Sequence, residues 1–335
     1  MLMTMVSFVA CYDNEDDITP SGNYSPIRGG FPQGNSELDS VIYDIKQEYG
    51  VYLLYKDVTE EDMNRDWVSA GTGDIYVAGD PEDREAGSWD LPVEHLPYYV
   101  DFFRYDIFPN ISKEFANSAF PIKIYMIHNL RTEPRDFGED GNSQSGGTDL
   151  NPNKTIKLGK FDNWAVSFPD SVVNGSGSEL AMKQQRCVFM FNVINNSIEK
   201  DEFVSPDEFW EDYDLRDSVK VNVKDMGAKN SLRNLGFVDM LEQTFGTGRT
   251  GNIIKPLPVL SKTELETSYW RKGNNFDLFM AYLMNAMWFT PEEFHARYET
   301  DKYTKIRDKY EFVTNYVLET YGINLVGIAC GKQQK

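Results

Sequence analysis

Strand-like and helix-like apolar patterns occupy different halves of this 335-residue chain. Short apolar runs typical of strands all come before residue 170, at 51–55, 121–127, 155–158 and 164–168. Apolar residues at helical spacing dominate after residue 177, over 178–198, 275–289 and 306–321. The chain shows no internal repeat. A chain that gathers its strands before its helices is typical of the α+β class.

Cys11 follows a short apolar segment that ends in a small residue. Such a segment is too short to span a bilayer and is typical of the end of a signal peptide. Phe8-Val9-Ala10-Cys11 resembles a bacterial lipobox, whose Cys is lipidated and becomes the new N-terminus, and the acidic run over 12–17 resembles the surface-export signal of Bacteroidetes lipoproteins. Phe8 stands where Leu is usual and no basic segment precedes it, so we expect the true start upstream. The alternative is a frayed apolar end without a role.

The next residues differ in composition from the rest of the chain. Residues 12–35 are rich in Gly, Pro, Ser, Asn and Asp, which predicts a flexible tether. Ser36 is a candidate N-cap for a first helix, and Gly50 is a candidate stop. We therefore expect a signal remnant over 1–11, the tether over 12–35, and a single domain over 36–335.

The chain carries a net charge of -20, from 53 acidic against 33 basic residues. Such a surface repels phosphates, which disfavours nucleic acid and anionic lipid as partners. Membrane attachment is therefore expected through the lipid on Cys11. Cys187 and Cys330 are too few for a disulfide framework, although two thiols could pair in an exported protein. The apolar run 187–191 favours burial of Cys187 as a small hydrophobe.

Five short segments carry a family resemblance: LDSVIY at 38–43, VYLLYK at 51–56, FVSP at 203–206, LGF at 235–237 and the closing segment 309–325. In their order and spacing they resemble the substrate import-associated zinc metallohydrolases, a family of Bacteroidetes lipoproteins. The resemblance covers about residues 36 to 328. It implies a zincin-like metallopeptidase fold, with a small N-terminal sheet and a mainly helical C-terminal half. It also implies an outer-membrane lipoprotein at the cell surface that serves a TonB-dependent nutrient importer.

The defining motif of that family, H-E-x-x-H, is replaced in this chain. Phe191 and Asn195 stand where the two zinc-binding His would be, and Asn192 stands where the general-base Glu would be. The later ligand helix matches 274–278, where Asn274 is no ligand and the nearest carboxylate is Asp277. A Phe cannot bind zinc, neutral amides bind it poorly, and an Asn cannot accept a proton from water. We therefore expect no zinc and no catalysis, and these five positions mark a cleft.

The chain contains three His, namely His95, His128 and His295, and no two of them are close in sequence. Zinc could still be held if the fold brought all three together. His95, near a helix start, and His295, on an amphipathic helix, are expected to be surface or capping residues. His128 follows the strand at 121–127, where its ring could face a cleft, and a half-buried His with satisfied hydrogen bonds is the alternative.

Other sequence features point less specifically to chemistry. The run 246–251 matches G-x-G-x-x-G, but neither a preceding strand nor a following helix is predicted, so a flexible turn is expected. Asp and Glu pairs are typical of solvated faces at this acidity. Four Trp are candidates for exposed rings that stack on sugars: Trp67, Trp89, Trp164 and Trp270.

Three functions compete on these grounds. The first is a non-catalytic binding or accessory subunit of a nutrient importer, with a peptide or glycan ligand. The second is a hydrolase, acting on peptides or glycans, that uses an unrecognised site, for example carboxylates in the same cleft. The third is a glycan-binding module that presents aromatic rings along a groove.

Overall fold

The structure is a computed structural model that describes residues 27, 29–64, 74–78, 89–134, 155–158, 163–168, 172–173, 179–211, 231, 233–239, 241, 276–299 and 301–331. Cys11, Asn274, Trp67, Trp270 and the run 246–251 lie outside these residues. The described part is an α+β fold, which confirms the predicted class: all six described strands precede residue 167, and helices dominate afterwards. No described helix has the length and apolar character needed to cross a membrane.

The described helices and strands follow one another along the chain. In order they are α1 (Glu37–Tyr49), β1 (Tyr52–Leu54), α2 (Glu60–Asn64), β2 (Asp74–Val77), α3 (Leu96–Asp101), α4 (Lys113–Ala119), β3 (Lys123–Met126), β4 (Arg131–Pro134), β5 (Thr155–Leu158), β6 (Asn163–Val166), α5 (Glu179–Glu199), α6 (Asp207–Trp210), α7 (Phe276–Trp288), α8 (Pro291–Arg297), α9 (Thr304–Tyr321) and α10 (Leu325–Cys330). A π-helix over Phe102–Ile107 and a 3-10 turn over Phe108–Asn110 continue α3.

A four-stranded sheet in the order β1-β3-β6-β5 organises the first half of the chain. β1, β3 and β6 are parallel, and β5 closes one edge antiparallel to β6. Side chains alternate across the sheet, as they must in a pleated strand. Ile124 and Met126 of β3 enter the main core, whereas Tyr125 and Ile127 face a smaller core near the separate β2–β4 pair. The sheet is therefore buried on both faces in its centre.

Caps fix the ends of several helices as the sequence predicts. Ser36 and Asp39 form a reciprocal capping box at the start of α1, and Gly50 ends that helix in the left-handed conformation. The sequence contains two further capping-box patterns, SPDE at 205–208 and TPEE at 290–293. Thr290 and Glu293 form the second of these at the start of α8. The box expected at Ser205 does not form: α6 begins after Pro206 without a side-chain cap, and the Ser205 hydroxyl accepts a hydrogen bond from the Trp210 indole at 3.1 Å.

The packed structure begins before the first helix. The Phe31 ring lies edge-on to the Tyr52 ring, with centroids 4.9 Å apart. The Gln33 amide oxygen accepts a hydrogen bond from the backbone N–H of Tyr55 at 2.7 Å. Residues 29–35, the end of the segment predicted as a tether, therefore pack against β1, because their apolar and amide groups find partners there.

Other local predictions are corrected by tertiary contacts. The apolar spacing over 96–107 predicts one helix, and the chain changes to π geometry after Asp101. The polar, Gly-containing stretch 131–153 predicts a surface loop, but its first residues, 131–134, pair with β2 as β4. Trp89 and Trp164 were predicted to be exposed, and both are buried: Trp89 packs in the smaller core, and Trp164 points into the main core from the central strand β6.

Candidate functional site

The helix α5 carries three of the five predicted cleft positions. Phe191 and Asn195, four positions apart, lie on the same side of the helix, Asn192 follows Phe191, and all three are half-buried. The Asn195 amide nitrogen donates to the Glu199 carboxylate at 2.7 Å, one turn further on. Phe191 packs against the main core. We call Phe191, Asn192 and Asn195 the α5 face.

Of the two later ligand positions, Asn274 lies outside the described residues, and Asp277 is the second residue of α7. α7 packs against α5, and the Cys187 thiol donates to the carbonyl of Met287 at 3.0 Å. The two helices that the resemblance assigns to metal binding are therefore neighbours in the fold.

Cys187 is the thiol nearest to the α5 face in sequence. It is fully buried, as predicted, and burial raises the pKa of its thiol to about 12. A neutral, buried thiol is neither a nucleophile nor a metal ligand, because both roles need the thiolate. Cys330, in contrast, is exposed, and both cysteines are free, so the pairing that the sequence left open does not occur.

A buried polar network fixes α5 next to the π-helix. Arg186 donates from Nε to the carbonyl of Ile328 at 3.1 Å, and its Nη1 lies 3.4 Å from the Asp106 carboxylate. Gln185 accepts a hydrogen bond from the Tyr98 hydroxyl at 2.7 Å. Burial raises the pKa of Tyr98, and the charge of Asp106 adds to the effect. The helix is therefore held by directional contacts as well as by apolar packing.

The fold brings two His together that are far apart in sequence. The rings of His95 and His128 meet edge-on, with centroids 4.7 Å apart. His95 was predicted to be a surface or capping residue; it is buried, it makes no capping bond, and its Nδ1 has no hydrogen-bond partner among the described residues. His128 is half-buried, and its Nε2 lies 3.2 Å from the Asn129 amide nitrogen.

This His pair lies beside the carboxyl end of β3. The hydroxyl of Tyr99 donates to the carbonyl of Ile127 at 2.9 Å, and the Ser167 hydroxyl, after β6, accepts from the backbone N–H of Leu130 at 3.1 Å. In open sheets, the edge where parallel strands end is where ligands usually bind. His128 follows β3, as the sequence predicts, and it is half-buried, in keeping with the alternative of a structural His. Nothing in the sequence indicates that His95 joins it.

Zinc fits neither group of residues well. The α5 face offers a phenyl ring and two amides, one of which is engaged with Glu199. The His pair supplies two nitrogen ligands, whereas protein zinc sites use three or four. Across the described ranges, no cluster of three or more His, Cys, Asp or Glu that could hold a metal is found. The third His, His295, is paired differently: its Nε2 lies 3.4 Å from the Glu311 carboxylate.

Comparisons with known proteins give one distant likeness. No protein-family model matches the chain, and no curated protein matches it. Among solved structures, the fold is similar to a protein from Bacteroides caccae described as a "putative zinc-binding metallo-peptidase". The match covers 89% of this chain and 92% of the other, with 9% identity and a TM-score of 0.38. A likeness this low carries no argument about mechanism or ligand.

Proposed function

We propose that this protein is a non-catalytic binding or accessory subunit of a nutrient import system, a pseudoenzyme held at the outer-membrane surface by a lipid on Cys11. The observation that carries the proposal is the α5 face. The three positions that would bind zinc and activate water are occupied by Phe191, Asn192 and Asn195, which have neither a good zinc ligand nor a base.

The surroundings of the α5 face support this proposal. Asn195 is bonded to Glu199, so its amide is part of the helix surface. Cys187 cannot substitute as a nucleophile, because burial keeps its thiol neutral. The face nevertheless remains half-buried and offers an aromatic ring beside two amides, which is suitable chemistry for contacting a peptide or a glycan.

Zinc binding and hydrolysis test the loss of catalysis. We would measure bound zinc and peptide and glycan hydrolysis, with and without chelator, for the wild type and for the triple variant Phe191→His/Asn192→Glu/Asn195→His. His residues four positions apart face the same way on a helix, so the variant should gain zinc affinity over the wild type. The single variants Phe191→His and Asn195→His are matched controls, since each adds only one ligand.

The outcomes of that test are distinct. The proposal is supported if the wild type shows no chelator-sensitive hydrolysis and if only the triple variant gains zinc binding. Chelator-sensitive hydrolysis by the wild type overturns it. Loss of such hydrolysis in His95→Gln/His128→Gln would then assign the reaction to the His pair.

The lipid anchor and the importer are tested separately. The proposal rests here on the lipobox-like run before Cys11 and the acidic residues after it. Labelled fatty acid fed to expressing cells should enter the full-length chain and not Cys11→Ser, and the wild type should sediment with outer membranes. Co-purification of a TonB-dependent transporter with the wild type is the expected result. A chain that stays unlabelled and free of membranes refutes this part.

A further inference from the structure

A surface groove opens where the start of α4 meets the end of α9. Its volume is about 430 Å³, within the roughly 300–1,000 Å³ typical of ligand pockets. Its walls come from three parts of the chain: α4 with the residue before it, Glu202 beyond the end of α5, and the last turn of α9. None of its residues belongs to the α5 face or to the His pair, so the groove is a separate feature of the molecule.

Hydrogen bonds between the walls fix the shape of this groove. The backbone N–H of Ser112 donates to the carbonyl of Gly322 at 2.8 Å, and the Ser112 hydroxyl donates to the carbonyl of Tyr321 at 3.1 Å. The Tyr321 hydroxyl in turn accepts from the backbone N–H of Val204 at 3.0 Å. These contacts join α4, α9 and the segment after α5. The groove is therefore formed before a ligand arrives, and little has to be ordered when one binds.

The groove contains apolar surface that a ligand can reach. The rings of Phe115 and Tyr321 meet edge-on in its lining, with centroids 6.3 Å apart. Leu318 lines the same groove, and its side chain is 49% exposed. Burial of such a side chain against the apolar part of a ligand is favourable, because apolar area leaves water.

Three carboxylates surround this apolar surface, one from each wall. They belong to Glu114 of α4, to Glu202 and to Glu319 of α9. All three side chains are exposed, so a ligand in the groove can contact them. Within the part of the chain that the structure describes, none of the three forms an ion pair. The groove thus presents negative charge that the described residues do not neutralise directly.

The cations nearest to the groove are held by other partners. Lys113 precedes Glu114, but its ammonium pairs with the Glu48 carboxylate at 3.0 Å. Lys200 donates from its ammonium to the carbonyl of Ser118, at one edge of the groove, at 2.9 Å. The lining itself consists of described residues and includes no Lys, Arg or His. Negative charge is therefore in excess there.

This charge selects among the possible occupants. Anionic ligands would be repelled by the three carboxylates. A second copy of this chain would bring its own acidic surface, since the net charge is -20. A positively charged partner is attracted instead. Arg suits the groove best, because its planar guanidinium bonds to carboxylates through paired N–H groups and its aliphatic stem packs on apolar surface.

We propose that this groove binds a basic peptide segment in which Arg residues flank an apolar residue. The guanidinium groups pair with the carboxylates of the rim, and the apolar residue contacts Leu318. The inference does not rest on the function proposed above, because the groove shares no residue with the α5 face. A failed zinc test leaves it standing, and its own failure leaves the loss of catalysis untouched.

Titration calorimetry of the full-length protein with a short peptide tests the proposal. The probe is GRLRG, acetylated and amidated so that its only charges are the two guanidinium groups. We expect saturable binding at low salt, with a dissociation constant of about 0.1 mM. The same peptide with citrulline in place of Arg keeps the shape and loses the charge, so its affinity should be about ten-fold lower. Physiological salt should also weaken the complex, because it screens exposed charges.

A triple variant tests whether the peptide occupies this groove. Glu114→Gln/Glu202→Gln/Glu319→Gln keeps the size of the side chains and removes the charge of the rim. Its affinity for GRLRG should fall by about ten-fold, since several exposed ion pairs are lost together. Because the three side chains are exposed, its urea midpoint should equal that of the wild type, which shows that the variant is folded.

A second triple variant controls for the overall charge of the protein. It removes the same number of carboxylates from exposed positions that do not line the groove: Glu37→Gln/Glu61→Gln/Glu94→Gln. Its affinity for GRLRG should stay within about two-fold of the wild type, because charges farther apart than about 10 Å are largely screened.

Three results would overturn the proposal. The first is no saturable binding of GRLRG, or equal binding of the citrulline peptide. The second is an equal loss of affinity in both triple variants, because the peptide would then respond to net charge alone. The third comes from sedimentation of the free protein: a dimer that Leu318→Ser abolishes would assign this face to a second copy of the chain.

Discussion

Replacement of Arg186 by Met tests what holds the central helix α5 in place. Arg186 is 5% exposed, and its partner Asp106 is fully buried. Met has nearly the same length, so apolar contacts are largely kept while the charge and its hydrogen bonds are lost. The variant leaves the Asp106 carboxylate buried without its ion pair, and it removes a donor from the carbonyl of Ile328.

The expected cost follows from the geometry of the pair. At 3.4 Å, two unit charges in a medium of effective dielectric constant 20 attract by about 5 kcal/mol. Breaking one side of a buried pair in other proteins costs about 3–5 kcal/mol. We therefore expect Arg186→Met to lower the free energy of unfolding by about 4 kcal/mol, a large part of the 5–15 kcal/mol typical of a domain.

Urea unfolding followed by far-UV circular dichroism measures this loss. Lys183→Met is the matched control on the same helix, because Lys183 pairs with the exposed Glu293 and its loss should cost about 1 kcal/mol or less. The double variant Asp106→Leu/Arg186→Met should recover much of the stability, since no buried charge then lacks its partner. The reasoning is refuted if Arg186→Met costs no more than Lys183→Met.

Two further predictions concern the ends of helices. Glu293→Gln keeps the reciprocal cap with Thr290 but loses the Lys183 ion pair. Burial alone would raise the pKa of Glu293, but the Thr290 N–H and Lys183 lower it, so the ionised carboxylate stabilises the fold above the unfolded pKa of about 4.3. At pH 7 the free energy of unfolding of the wild type should exceed that of the variant by under about 1 kcal/mol, and this difference should vanish in acid. Gly322→Ala should lower the free energy of unfolding in urea by over about 1 kcal/mol, because φ is +65° and the added Cβ would clash with the Ser112 side chain. The first argument is contradicted if Glu293→Gln and the wild type are equally stable at pH 7. The second is contradicted if Gly322→Ala leaves the urea midpoint unchanged.

The sequence by itself determined the local structure of this protein. The helices α5, α7 and α9 lie where apolar residues recur at helical spacing, and the strands β1, β3, β5 and β6 lie where short apolar runs occur. The caps at Ser36 and Thr290 also follow from the sequence. These features depend on residues three or four positions apart, so the pattern contains all the information they need. The order of strands before helices likewise indicated the α+β class.

The sequence also determined which chemistry the α5 face lacks. Phe191 and Asn195 are four positions apart in α5 and therefore lie on the same side of that helix, as their spacing predicts. The residue types alone exclude strong zinc ligation at these positions.

Only the tertiary structure decided which distant residues meet. His95 joins His128, and Arg186 pairs with Asp106, each through the packing of elements that are remote in sequence. Trp89 and Trp164 are buried for the same reason. A side chain's exposure and partners depend on how helices and sheets pack, and the spacing of residues along one element does not encode that packing.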